Sequence, residues 1–250
     1  MRVLAIAAAA LITFGIAGAQ TAKREAAIAA AANLSTVFQT LGPQFEAETG
    51  IHPVFSYAST AQLATQIDNG APFDLFAAAD TEHVEALEKK SRIVPGSRAV
   101  YATGILALWI PPGSHADITK LQDLVQPAVK VIALAKPELA PYGLAARETL
   151  RKLGIWSQVE PRIVYADNIN MAKQYGSSGN ADAVFTAYSL VLKENGKVIP
   201  VDEKLHSPIE QALGIVTSSK NQNAAKTFRS WLLAGHGRDG LRAFGYKVGR

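Results

Sequence analysis

Cysteine is absent from all 250 residues. That absence removes disulfide frameworks, thiol nucleophiles and thiolate metal sites together, and with them a lipid anchor on an N-terminal cysteine. Histidines at metal-ligand spacing are missing too: His52, His83, His115, His206 and His236 stand apart. There is no G-x-S-x-G elbow and no P-loop. Charge of one sign is scarce. Lys and Arg number 25 against 21 Asp and Glu, a net +4, with no basic run dense enough for nucleic acid. No internal repeat and no low-complexity tract occurs.

Long apolar runs are also missing, except at the start. Arg2 is followed by the uncharged run Val3 to Ile16, which ends in Ala17-Gly18-Ala19. This is the pattern of a secretory signal peptide cut after Ala19. The run falls short of the ~20 residues of a membrane span. Residues 1–19 are therefore expected to be a leader, and the remainder a freely soluble exported protein. Those ~230 residues suffice for one large domain or two lobes of ordinary size.

What is present is an alternation of strand and helix patterns. Ala26 to Ala32 is a short apolar run, followed by a helical face of Leu34, Val37, Phe38 and Leu41. Gly42-Pro43 should kink or interrupt that helix before Phe45, and Gly50 is a suitable stop. Val54 to Tyr57 reads as a strand, Thr60 to Asp68 as a helix, and Asp74 to Ala79 as a strand with Asp80 able to cap the next helix. Tyr101 to Ile110 is one longer apolar stretch. Val129 to Ala135, Ile163 to Tyr165 and Ala183 to Ala187 follow. Repeated units of this kind predict an α/β protein with doubly wound, mainly parallel sheets.

Four helix starts follow strands and are rich in neutral polar groups: Asn33-Leu34-Ser35-Thr36, Ser59-Thr60, Pro141-Tyr142-Gly143 and Asp167-Asn168-Ile169-Asn170. In a doubly wound sheet they lie at the carboxyl ends of the strands, where ligands bind. Unpaired N–H groups at a helix start carry partial positive charge. Several converging on one point hold an anion without Lys or Arg. The same residues are also ordinary caps, so the residues alone leave a soluble α/β ligand-binding protein with its ligand open. Gly235-His236-Gly237-Arg238-Asp239-Gly240 matches the dinucleotide-binding string, but it follows a helical segment rather than a strand and is read as coincidence.

An ordered set of segments narrows this reading. Ala30-Ala31-Ala32-Asn33-Leu34, Phe45-Glu46-Ala47-Glu48-Thr49-Gly50, Tyr57-Ala58-Ser59-Thr60, Gly70-Ala71-Pro72, Asp74-Leu75-Phe76 and Ala79-Asp80 come in the order of periplasmic molybdate-binding proteins. Lys136-Pro137-Glu138, Ala140-Pro141-Tyr142-Gly143 and Lys152-Leu153-Gly154 continue it. The chain resembles that family from about Glu25 to Phe244-Gly245-Tyr246.

The resemblance implies a two-lobed type II periplasmic binding protein fold with two strand crossings. Lobe 1 would take residues 21–102 plus 206–250, and lobe 2 residues 103–205. It implies a monomer without cofactor or catalysis that captures molybdate or tungstate in the periplasm and delivers it to an ABC permease in the inner membrane. Asn33 and Thr60, with Ser59 beside them, would hold the anion from lobe 1. Tyr142 and Ile169, with Asn168 adjacent, would hold it from lobe 2. Thr186 stands where some members place an anion-contacting Tyr, and is left out of the expected site. The alternatives are a binding protein of the same fold for sulfate or phosphate, or an exported α/β enzyme.

Overall fold

The computed structural model describes residues 24–249; the expected leader, residues 1–19, lies outside them. β1 (Arg24–Ala31) leads through a 3-10 turn at Ala32–Leu34 into α1 (Ser35–Thr49). Next come β2 (Ile51–Ala58), α2 (Thr60–Asp68), β3 (Leu75–Ala77), α3 (Glu82–Lys89) and β4 (Ala99–Gly104). Beyond Ile105 follow β5 (Leu106–Ile110), β6 (Ile132–Ala135), α4 (Pro141–Lys152) and α5 (Trp156–Val159). After them come β7 (Ile163–Ala166), α6 (Ile169–Ser177), β8 (Ala183–Ala187), α7 (Tyr188–Val191) and β9 (Lys197–Pro200). β10 (Ile209–Ile215), α8 (Gln222–Leu233) and α9 (Gly235–Ala243) end the order.

The strands form two five-stranded sheets of identical layout, β2-β1-β3-β10-β4 and β7-β6-β8-β5-β9. In each sheet four strands share one direction and the fifth opposes them: β10 in the first, β5 in the second. In both cases the opposed strand is the one that has just arrived from the other sheet. The chain crosses at Ile105 and again between Pro200 and Ile209. The crossings lie side by side, with β4 and β10 paired and Ile209 opposite Gly104. This is the expected two-lobed α/β fold.

Two sequence expectations need correction. The apolar stretch Tyr101 to Ile110 is two strands, not one, and they belong to different sheets. Hydrophobicity is continuous there because the chain leaves one buried sheet and enters another with only Ile105 between. The second correction concerns α1, which is not interrupted at Gly42-Pro43. Pro43 sits on the exposed face, where losing one backbone bond is tolerated. The opposite face anchors the helix: Phe38 packs tilted against Phe55 and edge-on against Phe228, with centroids 5.1 and 5.6 Å away, and Phe45 lies 5.0 Å from Phe228. Each such pair contributes about 0.5–1.5 kcal/mol beyond its buried area, which outweighs the local propensity. The glycine-rich string near the C-terminus lies inside α9 and directly follows α8, so no phosphate-binding turn exists there.

The first lobe buries two apolar clusters, and the core of the second continues across to Ala31, Ala32 and Ala79 of the first. Helices α1, α2, α4 and α6 each follow a strand that points the same way as its sheet neighbours β1, β2, β6 and β7. Their first turns therefore collect at the carboxyl ends of the strands.

Candidate functional site

The first turns of α2, α4 and α6 and the 3-10 turn before α1 surround one small cavity. Its walls are Ala31, Ala32, Asn33, Ser59, Thr60, Ala79, Ala140, Pro141, Tyr142 and Ile169, and they close to about 10 Å³ of free space. That is room for about one water molecule and far below the ~300–1,000 Å³ of pockets for organic ligands. Both lobes contribute, and the structure brings five sequence-predicted residues (Asn33, Ser59, Thr60, Tyr142 and Ile169) to the same wall. All five are buried. Asn168 does not line the cavity; it caps α6, accepting at Oδ1 from the Met171 N–H (3.0 Å). Thr186 is buried in β8, is not part of the wall, and its hydroxyl has no hydrogen-bond partner.

Local chemistry sets which donors can face an anion. Thr60, Tyr142 and Ile169 occupy the first two helical positions, where an N–H has no acceptor within its own helix. Pro141 at the head of α4 brings no N–H of its own. Gly143 lets α4 approach β6, since a β-carbon there would collide with the Ala135 carbonyl. Thr60 Oγ1 accepts from the Ala79 N–H (3.1 Å), which leaves its hydroxyl hydrogen to donate. Ser59 differs. Its N–H (3.2 Å) and its hydroxyl (2.8 Å) both donate to Gln62 Oε1.

Asn33 is likewise engaged from behind. Its Nδ2 donates to Gln211 Oε1 (2.9 Å) and to the Tyr246 hydroxyl (3.0 Å), and its carbonyl accepts from Tyr246 (2.9 Å). The side-chain amide hydrogens thus serve the protein. Gln211, Tyr101, Tyr246 and Ser189, none of them singled out from the sequence, form this second layer with Asn33 and Tyr142. Burial pushes the hydroxyls of Tyr101 and Tyr142 far above the ordinary tyrosine range and that of Tyr246 to about 12. The layer is therefore neutral around pH 7.

Among the described residues no cationic side chain lines the cavity. Asp167, the carboxylate nearest in sequence, is held by Lys136 Nζ at 2.6 Å with both side chains about half exposed. A larger groove of about 340 Å³ opens alongside, but Asp80, Glu82, Glu138 and Glu148 stand on its walls. Carboxylates repel an anion, so the small donor-lined cavity is the anion site of the two.

Two α/β lobes joined by paired crossings, with a small cavity of helix starts between them, define a solute-binding protein. The chain belongs to the bacterial extracellular solute-binding protein family, whose model matches residues 26–247. It is 36% identical to the molybdate-binding protein ModA of Azotobacter vinelandii over 89% of each chain. It is 33% identical to ModA of Rhodobacter capsulatus over 89% of this chain and 88% of that one. The solved periplasmic molybdate-binding protein of Azotobacter vinelandii superposes with a TM-score of 0.86 at 29% identity, covering 90% of this chain and all of that one. These relatives are solute-binding proteins, so the chain is not an enzyme.

Proposed function

We propose that this protein captures molybdate, or tungstate of nearly the same size and charge, in the periplasm and delivers it to an ABC import permease in the inner membrane. The working unit is a monomer whose lobes divide at Ile105 and between Pro200 and Ile209, and it needs no cofactor. One observation carries the reading: first turns from both lobes meet around a narrow cavity with hydrogen-bond donors and, among the described residues, no charged side chain in its wall.

Thr60 supplies a hydroxyl donor, and Tyr142 and Ile169 supply backbone N–H groups. Asn33 and Ser59 complete the wall on lobe 1, and Asn168 holds the start of α6 in place. Because each lobe carries part of the donor set, only the closed molecule pairs every oxygen, and the ion shifts the open–closed population accordingly. Donors from Thr60, Tyr142 and Ile169, with no carboxylate beside them, favour a fully deprotonated dianion over hydrogen phosphate.

Calorimetric titration of ligand-stripped protein with molybdate, tungstate, sulfate and phosphate at neutral pH tests this. Tight one-to-one binding of the first two, with little heat from the others, is the expected result. Silence with molybdate beside clear binding of sulfate would keep the fold and overturn the ion.

A further inference from the structure

Gln211 is a polar side chain with no solvent exposure, on the strand that returns from lobe 2. Its Oε1 lies 2.9 Å from Asn33 Nδ2 and 2.8 Å from the Tyr101 hydroxyl, and its Nε2 donates to the Tyr142 hydroxyl at 2.9 Å. Asn33 belongs to the first lobe's wall of the cavity and Tyr142 to the second's. One amide therefore touches an anion-site residue of each lobe, at the place where the chain crosses between them.

The surrounding backbone is shaped to allow this. Pairing of β10 with β4 steps from Gln211 opposite Ala102 to Ala212 opposite Val100, so Tyr101 is an extra residue in the ladder. A bulge of this kind re-aims side chains, and the Tyr101 hydroxyl turns towards Gln211. On the same strand Gly104 has no side chain, and a β-carbon there would collide with both the Tyr142 hydroxyl and Gln211 Nε2. Asn33 Nδ2 also donates to the Tyr246 hydroxyl, whose own hydrogen goes to the Asn33 backbone carbonyl, and the Tyr101 hydroxyl lies 2.9 Å from the Ala78 carbonyl as well.

We propose that Gln211 is a positioning residue of the anion site, setting the Asn33 wall of one lobe against the Tyr142 turn of the other by accepting from the first and donating to the second. The inference rests on the oxyanion reading above and deepens it. It requires a group that accepts on one side and donates on the other. A protonated carboxylic acid meets that requirement, and a carboxylate does not. The groups facing position 211 are Asn33 from the first turn, Tyr101 from β4, Tyr142 from α4 and, through Asn33, Tyr246. All are neutral around pH 7, and Asp80 acts on Tyr101 from further off. In wild type nothing in this set titrates near neutrality.

The test is calorimetric titration of wild type, Gln211→Glu and Gln211→Leu with molybdate from about pH 6 to about pH 9, a range that brackets a buried glutamic acid, with Tm recorded for each. The Glu variant should bind within a few-fold of wild type at the acid end, then weaken progressively as the pH rises, by at least about tenfold relative to wild type. Loss of the donor and proximity of the new charge to the anion both act in that direction. The Leu variant should be weaker by about 10–100-fold at every pH. A Glu variant that tracks wild type at all pH values, or a folded Leu variant that binds like wild type, overturns the proposal. Should the Leu variant fail to fold, the pH profile of the Glu variant decides alone. Wild-type silence with molybdate defeats the oxyanion reading and this inference with it, whereas wild-type binding with a pH-indifferent Glu variant defeats only the inference.

Discussion

Ser59 and Thr60 are adjacent, buried and both hydroxylic, yet their hydrogens have different destinations. The Ser59 hydroxyl donates to Gln62 across the first turn of α2, whereas the Thr60 oxygen accepts from Ala79 and keeps its hydrogen free. Thr60→Val should therefore weaken molybdate binding by about 10–100-fold, the loss of one hydrogen bond to a charged group. Ser59→Ala should change affinity little and instead cost about 1 kcal/mol of stability, as loss of a helix cap does. Calorimetry and thermal melts on the two variants separate these outcomes. Equal losses of affinity would mean that Ser59 releases Gln62 to face the ion. The hydroxyls were legible as candidates because both head a helix. Which one is free was not legible, because the Thr60 oxygen is met by an N–H 19 positions further on, at Ala79.

At the scale of elements, helix starts were the most readable part of the chain. Thr60 to Asp68 and Ala183 to Ala187 fall where the apolar spacing puts them. The layer behind the site was hidden for a physical reason: Asn33 meets Gln211 across 178 positions and Tyr246 across 213. The only local trace of Gln211 is a polar residue at an inward position of β10, between buried Ile209 and Leu213. Helix α3 carries a prediction of its own. His83, in its first turn, donates its N–H to Asp80 Oδ1 (3.0 Å), and its ring nitrogen Nδ1 lies 2.7 Å from Asp80 Oδ2. The hydrogen bond that the His83 ring donates to Asp80, more than the charges of Asp80 and Glu82, raises the His83 pKa above the ordinary 6.5, while burial opposes the rise. A raised folded value means that the stabilisation is fully present below 6.5 and lost as the pH climbs through the folded value. Relative to wild type, His83→Ala should lower Tm most at acid pH, with the gap closing as the pH rises. A proton NMR titration of His83 should place its midpoint above that of an unfolded histidine.

At the scale of the whole molecule, closure is secured by a few direct bonds between lobes. Asn170 Nδ2 at the start of α6 donates to Ser35 Oγ at the start of α1 (2.9 Å), and the Ala61 N–H donates to the Leu139 carbonyl (3.2 Å). Ser189 reaches Tyr246 at 3.0 Å. None of these needs the ion, so they favour the closed state by themselves. Asn170→Ala should enlarge the radius of gyration of the free protein in small-angle scattering. It should also weaken molybdate binding by about 3–10-fold, mainly through faster release. An unchanged radius together with unchanged affinity would show that the Ser35–Asn170 pair is incidental to closure.

The side-by-side crossings also impose an order of assembly on the growing chain. β5 to β9 are contiguous, so the second sheet has all its strands once Pro200 has been made. The first sheet does not, because its inner strand β10, wedged between β3 and β4, comes from residues 209–215. Until those residues exist, β4 has no neighbour in that sheet and the N-terminal third of the protein waits on a segment made near the end. Such long-range pairing delays folding. A chain stopped at residue 208 would hold one finished lobe and one open one.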